Sequence, residues 1–183
     1  MITQKPRIIN SLYDLKRDRN TQLLTIFSLI AKRGTKVNVF DRSVAGSLIF
    51  GISDGHQNGS DYTAWRFQTL SVNLKANYHE VWASSGKDRY YLVRSYFHLY
   101  RFDGEQEKEY ILLHCDASEP DDAPHSIYKQ SPHLHIECAE HPVPKAHFAL
   151  YNGRVGQVLK NIINFDAALN ETILMFKSQV LEA

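Results

Sequence analysis

The chain has 183 residues, which suits one domain or two small ones, and 43% of them are hydrophobic, which is enough for a packed core. The 21 basic and 20 acidic residues leave a net charge of +1, and this excludes a strongly basic protein that binds nucleic acid through its overall charge. No apolar run is as long as a membrane span or a signal peptide, so we expect a cytoplasmic protein without a membrane partner.

The N-terminal residues carry helical signals. Ser11 is a suitable N-cap for a helix from Leu12 to Arg19, and Thr21 is a suitable N-cap for a second helix from Gln22 to Arg33. A single helix over residues 10–33 fits the same pattern. The sequence therefore predicts one or two helices at this end of the chain.

The middle of the chain combines strand signals with one further helical signal. Lys36–Phe40 alternates as a short strand, and residues 42–51 fit either a helix or a strand. Tyr62–Ala76 has apolar residues at helical spacing. Tyr78–Trp82 and Arg89–Arg94 flank a polar turn and therefore predict a β-hairpin.

This order of elements resembles a winged helix-turn-helix, in which Tyr62–Ala76 would be the recognition helix. The resemblance implies a DNA-binding regulator that would meet base edges or phosphates through residues such as Arg66 and Asn73. The near-neutral charge argues against this function, because such domains usually carry a basic face. An amphipathic helix lying on a sheet is the structural alternative.

Four later segments alternate between apolar and polar residues, as strands with one buried face do. Tyr90–Phe102 is joined to Glu109–Asp116 through an Asp-Gly turn, and Ser131–Cys138 and Lys145–Leu150 follow. In the last three segments the histidines all fall on the phase opposite the apolar residues. Cys115 falls on the apolar phase, as does Cys138, so we expect buried thiols of an intracellular protein.

If these strands share a sheet, one face gathers the side chains that can bind a metal or move a proton. They are His114, Asp116, His133, His135, Glu137 and His147. We expect them to form one cluster beside the loop of residues 117–130, which would lie over it. The expectation depends on strict alternation, and a β-bulge would reverse part of it.

The C-terminal residues are again helical. Arg154–Ile163 and Ala167–Leu181 are the predicted helices, with Asp166 as the cap of the second and a stripe of apolar residues that packs on one sheet face. The predicted architecture is α+β: N-terminal helices, a mostly antiparallel sheet and a C-terminal helix. Residues 1–95 and 96–183 are candidate domains, although one single domain is equally compatible.

Part of the polar strand pattern resembles the small TumE-like toxins of bacterial toxin–antitoxin pairs. The resemblance covers residues 98–147 and depends on Tyr100, Asp116, His133 and His135. It implies a cytoplasmic effector that acts on nucleic acid and is neutralised by a partner protein.

The first functional hypothesis is a toxin-like or defence-associated ribonuclease or phosphodiesterase. Two imidazoles that titrate near neutrality suit the base and the acid that RNA cleavage needs, and a cation would stabilise the charged transition state. The predicted catalytic residues are His133, His135, His114, Asp116 and Glu137. The predicted substrate-binding residues are Arg94, Tyr100, Tyr128, Lys129 and Lys145.

The second hypothesis is a metal site. His133 and His135, together with His147, offer the nitrogen ligands that one zinc-like divalent ion prefers. The sequence leaves open whether the cluster works with such an ion or without any cofactor. A third hypothesis is a non-catalytic module that uses the aromatic and histidine-rich face to bind a protein partner or to form a homodimer.

Overall fold

The structure is a computed structural model, and it describes residue 9 and residues 11–55, 61–84, 86–104, 106–116, 133–136, 146–149 and 162–182. Two α-helices lie in these ranges: α1 (Leu12–Phe27) and α2 (Ile162–Phe176). The strands are β1 (Asn38–Val44), β2 (Ser47–Ser53), β3 (Phe67–Gln68), β4 (Leu74–Ser84), β5 (Tyr90–Asp103), β6 (Gln106–Asp116), β7 (His133–Ile136) and β8 (Ala146–Ala149). Short helical turns are formed by Tyr62–Ala64 and by Lys177–Leu181.

The strands form one sheet in the order β1-β2-β4-β5-β6-β7-β8, with β3 paired beside β4. Each of these pairings is antiparallel. The predicted mixture of helices with a mostly antiparallel sheet is therefore confirmed. The boundary after residue 95 lies inside β5, and the same sheet continues on both sides of it. No helix among the described residues is long and apolar enough to cross a membrane.

The helix α1 begins where the sequence predicts. The backbone N–H of Asp14 donates to the Ser11 hydroxyl oxygen at 2.9 Å, which satisfies one of the open donors of the first helical turn. The helix then continues without a break to Phe27, because the buried residues Leu15, Arg19 and Leu23 recur on one face. Of the two alternatives the single helix is present, although it ends at Phe27, and the plural N-terminal helices of the predicted architecture are wrong for the described residues.

The prediction of a helix over Tyr62–Ala76 is also wrong. The recognition helix of the winged-helix interpretation is therefore absent from this segment. Only Tyr62–Ala64 is helical there, and the chain then enters β3 and β4. The cause is a tertiary contact: the side chain of Asn77 donates hydrogen bonds to the backbone oxygens of Thr63 and Trp65 and holds this segment across the sheet. The ambiguous residues 42–51 are strands, and they turn at two positions with positive φ, Ala45 and Gly46.

The hydrophobic core lies on the phase of the sheet that contains Phe97. Its ring lies 5.7 Å from the Phe27 ring of α1 and 5.6 Å from the Phe176 ring of α2. Cys115 is buried in the same cluster, as predicted, whereas Cys138 lies outside the described residues. Because side chains alternate along a strand, the residues between these core positions lie on the other face of the sheet.

The helix α2 differs from its prediction at its start. It begins at Ile162, so Asp166 lies inside the helix and is not its cap. The predicted apolar stripe is buried at Leu169, Ile173 and Phe176. Of the predicted helix Arg154–Ile163, only residues 162 and 163 belong to the described part of the chain, and the loop of residues 117–130 lies outside it.

Candidate metal centre

Three histidines come together on β6 and β7, on the face opposite the core. His114 is opposite His133 in the strand register, and Leu112 is opposite His135. Directly opposed residues of an antiparallel pair share a face, with their Cβ atoms about 5 Å apart. The predicted convergence of His114, His133 and His135 is therefore present in the structure.

The ligand atoms of these three imidazoles point at one another. The Nε2 atoms of His114 and His133 are 2.5 Å apart, and the Nε2 atoms of His135 and His114 are 3.1 Å apart. One nitrogen from each residue lies within 4.8 Å of the other two. His133 is fully buried, whereas His114 and His135 are only half-buried, so one side of the group is accessible.

This spacing is close to what a zinc-like ion requires. Zinc–nitrogen bonds of about 2.0–2.1 Å in a tetrahedral site place the nitrogens about 3.3 Å from each other. The two nitrogen–nitrogen separations of 2.5 and 3.1 Å are shorter than that value, so the side chains would have to rotate apart slightly to hold an ion. Imidazole binds a metal ion through a ring nitrogen that carries no proton.

The remaining predicted members of the cluster are described only in part. His147 is opposite His135 in the register of β7 and β8, and Asp116 is opposite Arg94 in the register of β5 and β6, but their side chains lie outside the description. Four other predicted site residues lie wholly outside the described residues. They are Glu137, Tyr128, Lys129 and Lys145.

Arg94 lies on the same face, next to the histidines. Its guanidinium carbon is 5.8 Å from the centre of the Tyr96 ring, and that ring is 5.1 Å from the His114 ring. The Nε atom of Arg94 is buried, and it has no hydrogen-bond partner in the described part of the chain. A buried N–H without a partner costs free energy, and an anionic ligand would satisfy it.

Tyr100 does not lie at the histidine group. It is four residues from Tyr96 along β5, which is about 13 Å in an extended strand. The Arg66 guanidinium stacks on its ring at 4.3 Å. Burial raises the pKa of Tyr100, and the nearby Arg66 charge opposes that effect.

A row of aromatic rings runs along this face of the sheet from the histidine group to β4. His79 of β4 stacks on Tyr96 with ring centres 4.9 Å apart. Burial, followed by the nearby His98 and Arg94, lowers the pKa of His79 to about 3, so this imidazole is neutral at pH 7. The Asn77 amide nitrogen donates to two backbone oxygens, so the amide oxygen is the atom that faces His79. This oxygen accepts from His79 Nδ1 at 3.2 Å, and Nδ1 is therefore the protonated nitrogen of His79.

One further histidine of this face is held by a carboxylate, and alternation along the strands did not predict this pair. His98 of β5 and Glu109 of β6 are joined through Nδ1 and Oε2 at 3.1 Å. Strict alternation would place Glu109 on the same phase as the buried Ile111. The register instead shifts at Tyr100, which is opposite Glu109 while Leu99 is opposite Ile111. The extra residue of this β-bulge turns Glu109 to the histidine face.

The comparisons with known proteins found no match for this chain, whether among family models, curated proteins or solved structures.

Proposed function

We propose that this protein binds one divalent transition-metal ion, such as zinc, through His114, His133 and His135, and that it hydrolyses phosphodiester bonds of RNA at this centre. The observation that carries the proposal is the meeting of three imidazole nitrogens within 4.8 Å on one partly accessible face. Three histidines are a well-known ligand set of catalytic zinc, and they leave a fourth position for water or substrate.

The chemistry that such an ion supplies is a lowered pKa of coordinated water and the polarisation of a phosphoryl oxygen. The chain contributes the geometry. His114 and His133 come from neighbouring strands, so the antiparallel pairing of β6 and β7 fixes their separation. His133 is fully buried, which limits the rotation of its ring and keeps its nitrogen directed at the group.

Arg94 supports a phosphodiester as the substrate. Its planar guanidinium matches the geometry of phosphate oxygens, and its buried Nε can donate a hydrogen bond to one of them. The Tyr96 ring is close to both Arg94 and His114, and an unstacked base could lie on it. RNA is the substrate class that we assign, because unstacked bases are the usual target of aromatic side chains in RNA recognition.

The resemblance to TumE-like toxins adds a protein partner and a cytoplasmic setting to this proposal. Two groups of residues keep the roles expected for them. Asp116, Glu137 and His147 are proposed to orient or complete the histidine group, and Tyr100, Tyr128, Lys129 and Lys145 are proposed to bind the nucleic acid.

Elemental analysis of protein purified without a histidine tag tests the metal centre. We expect about one zinc-like ion per chain, and its loss in His133→Ala and in His135→Ala. His98→Gln is the matched control, because it changes a histidine of the same face that lies outside the group of three. A wild-type protein that holds no ion, even after incubation with zinc and removal of the excess, would contradict the proposal.

Cleavage of a single-stranded RNA oligonucleotide tests the second half of the proposal. We expect activity in the metal-loaded protein, and its loss after treatment with a chelator and in His135→Ala. A protein that binds the ion tightly but leaves RNA intact would show that the centre exists and that the hydrolytic function is wrong.

A further inference from the structure

We infer that His98, held in place by Glu109, donates the proton to the leaving oxygen in the hydrolysis proposed for the metal centre. This inference rests on that proposed function and adds a catalytic residue to it. It depends on the position of His98, on the orientation of its ring and on the bulge that brings Glu109 to it.

His98 lies on the same sheet face as the group of three. In the strand register His98 is opposite Leu112, and Leu112 is opposite His135. Neighbouring strands are about 4.8 Å apart, so His98 and His135 are about 10 Å apart across the sheet. The Tyr96 ring touches both sides, since it lies 6.0 Å from the His98 ring and 5.1 Å from the His114 ring. The leaving oxygen of a phosphodiester bound at the three histidines would have to lie over Leu112, between the group and His98, for the proton to reach it.

Glu109 sets the orientation of His98. A carboxylate accepts hydrogen bonds, so His98 Nδ1 carries the hydrogen of the 3.1 Å contact, and Nε2 is the ring nitrogen left to serve a substrate. The side chains of His98 and Glu109 are 16% and 27% exposed, which leaves them within reach of a ligand. Histidines that act as acids or bases are commonly oriented by a carboxylate on the other ring nitrogen.

The bulge in β6 is the structural reason for this pair. A regular ladder would place Tyr110 opposite Tyr100 and would turn Glu109 to the core face. The extra residue instead sets Glu109 opposite Tyr100, next to His98. Bulges often re-aim a side chain beside an active site.

The surroundings of His98 distinguish it from His79, the neighbouring histidine of β4 on the same face. From β4 it is faced by Asn77 and His79, and from β5 by the rings of Tyr96 and Tyr100. Glu109 and Leu112 face it from β6, and the Arg66 guanidinium lies on the far ring. His79 is bonded through Nδ1 to an amide oxygen, not to a carboxylate, and is neutral at pH 7. Of His79 and His98, His98 is therefore the one whose surroundings suit a proton donor.

In this step His98 transfers one proton while one oxygen replaces another at phosphorus. The bond between phosphorus and the leaving sugar oxygen breaks as the bond between phosphorus and the water oxygen forms. The proton on His98 Nε2 passes to the leaving oxygen and gives an alcohol. The proton lost by the water passes to solvent, and a solvent proton restores His98. General acid catalysis of this kind contributes about 10² to 10⁴ in rate.

The test compares two substrates with different leaving groups in the zinc-loaded protein. The leaving group of an RNA dinucleotide is an alkoxide, which needs a proton. The leaving group of bis(p-nitrophenyl) phosphate is a stable phenolate, which does not. We expect His98→Gln to cleave the dinucleotide about 100-fold more slowly or worse, and to cleave the activated ester within about threefold of the wild type. Its ion content is expected to equal that of the wild type.

Glu109 is tested as a positioning residue. Glu109→Gln keeps an oxygen that accepts from Nδ1, so we expect a smaller change in the ratio of the two rates than in Glu109→Ala. This pair keeps the inference testable if His98→Gln does not fold. His79→Asn is the matched control on the same face, and the ratio of its two rates is expected to equal that of the wild type.

The outcomes separate this inference from the proposed function. Absence of a bound ion in the wild type, or no cleavage of either substrate, refutes the proposed function and this inference together. A bound ion and active wild type, with equal losses on both substrates in His98→Gln or with no loss, overturns the role of His98 alone.

Discussion

Arg19 of α1 and Glu80 of β4 lie 61 positions apart in the chain, and they form a buried ion pair through two hydrogen bonds of 2.7 and 2.9 Å. Asp166 of α2 accepts two more hydrogen bonds from the same guanidinium, at 2.9 and 3.0 Å. Tyr78 and Trp82 donate to the Glu80 carboxylate. One fully buried arginine thereby connects both helices with the centre of the sheet. Burial alone would disfavour its charge, but the two carboxylates hold the pKa of Arg19 well above its usual value.

Removal of this arginine is expected to destabilise the fold. Arg19→Met leaves the buried Glu80 and the partly exposed Asp166 without their cation, and breaking a buried pair in this way costs about 3–5 kcal/mol. Urea unfolding at pH 7 measures the change. Arg17→Met is the control on the same helix, because Arg17 makes only exposed ion pairs, and its unfolding curve is expected to overlay that of the wild type. Equal curves for both variants would contradict the prediction.

Gly51 is expected to tolerate no side chain. A Cβ atom at this position would lie 2.5 Å from Cε3 and 2.9 Å from Cζ3 of the buried Trp65 ring. Gly51→Ala is therefore expected to destabilise the protein by about 1–3 kcal/mol, measured by thermal or urea unfolding. Gly55→Ala is the control, since a Cβ there meets nothing within 4 Å. A Gly51→Ala protein as stable as that control would show that Trp65 moves aside easily.

The buried His79 predicts a loss of stability in acid. Its pKa is lowered to about 3 in the folded protein, chiefly by burial, whereas the unfolded chain has the usual value of 6.5. Between pH 6.5 and 3 the unfolded state binds the proton and the folded state does not, so stability falls as the pH falls through this window. The slope from this one group is at most about 1.4 kcal/mol per pH unit.

His79→Asn isolates that contribution, because asparagine can still donate to Asn77 but does not titrate. We expect the free energy of unfolding of this variant to fall less steeply between pH 6.5 and 4 than that of the wild type. Urea unfolding at several pH values measures both slopes. Parallel slopes would mean that His79 is protonated in the folded protein.

A bound ion is expected to stabilise the sheet. Since His114 and the two histidines of β7 lie on paired strands, an ion that binds only the folded state adds RT ln(1 + [L]/Kd), about 2.7 kcal/mol at a hundredfold excess over Kd. Zinc should raise the thermal midpoint and a chelator should lower it again. His135→Ala is expected to show neither shift. An equal response of that variant would place the ion elsewhere.

The alternation of residues was sufficient to predict β5, β6 and β7 and the shared face of His114, His133 and His135, because the period of a strand depends only on local geometry. The spacing of apolar residues did not predict Tyr62–Ala76 correctly, because the hydrogen bonds of Asn77 hold this segment in a conformation that is not helical. The pairing of His98 with Glu109 was also not predictable. A bulge changes the phase at a position that no residue type in β6 marks.

The order of the strands has a consequence for how the chain reaches its folded state. β5 and β6 are separated by residues 104–105, whereas β6 and β7 are separated by residues 117–132. Joining the ends of the longer connection costs more chain entropy, by roughly 2 kcal/mol on the logarithmic scaling of loop closure. The group of three histidines spans that connection, so it is completed only when the most distant of these neighbours has paired. An ion held by the group would therefore stabilise the pairing of β6 with β7, which is the one of the two whose loop closure costs more chain entropy.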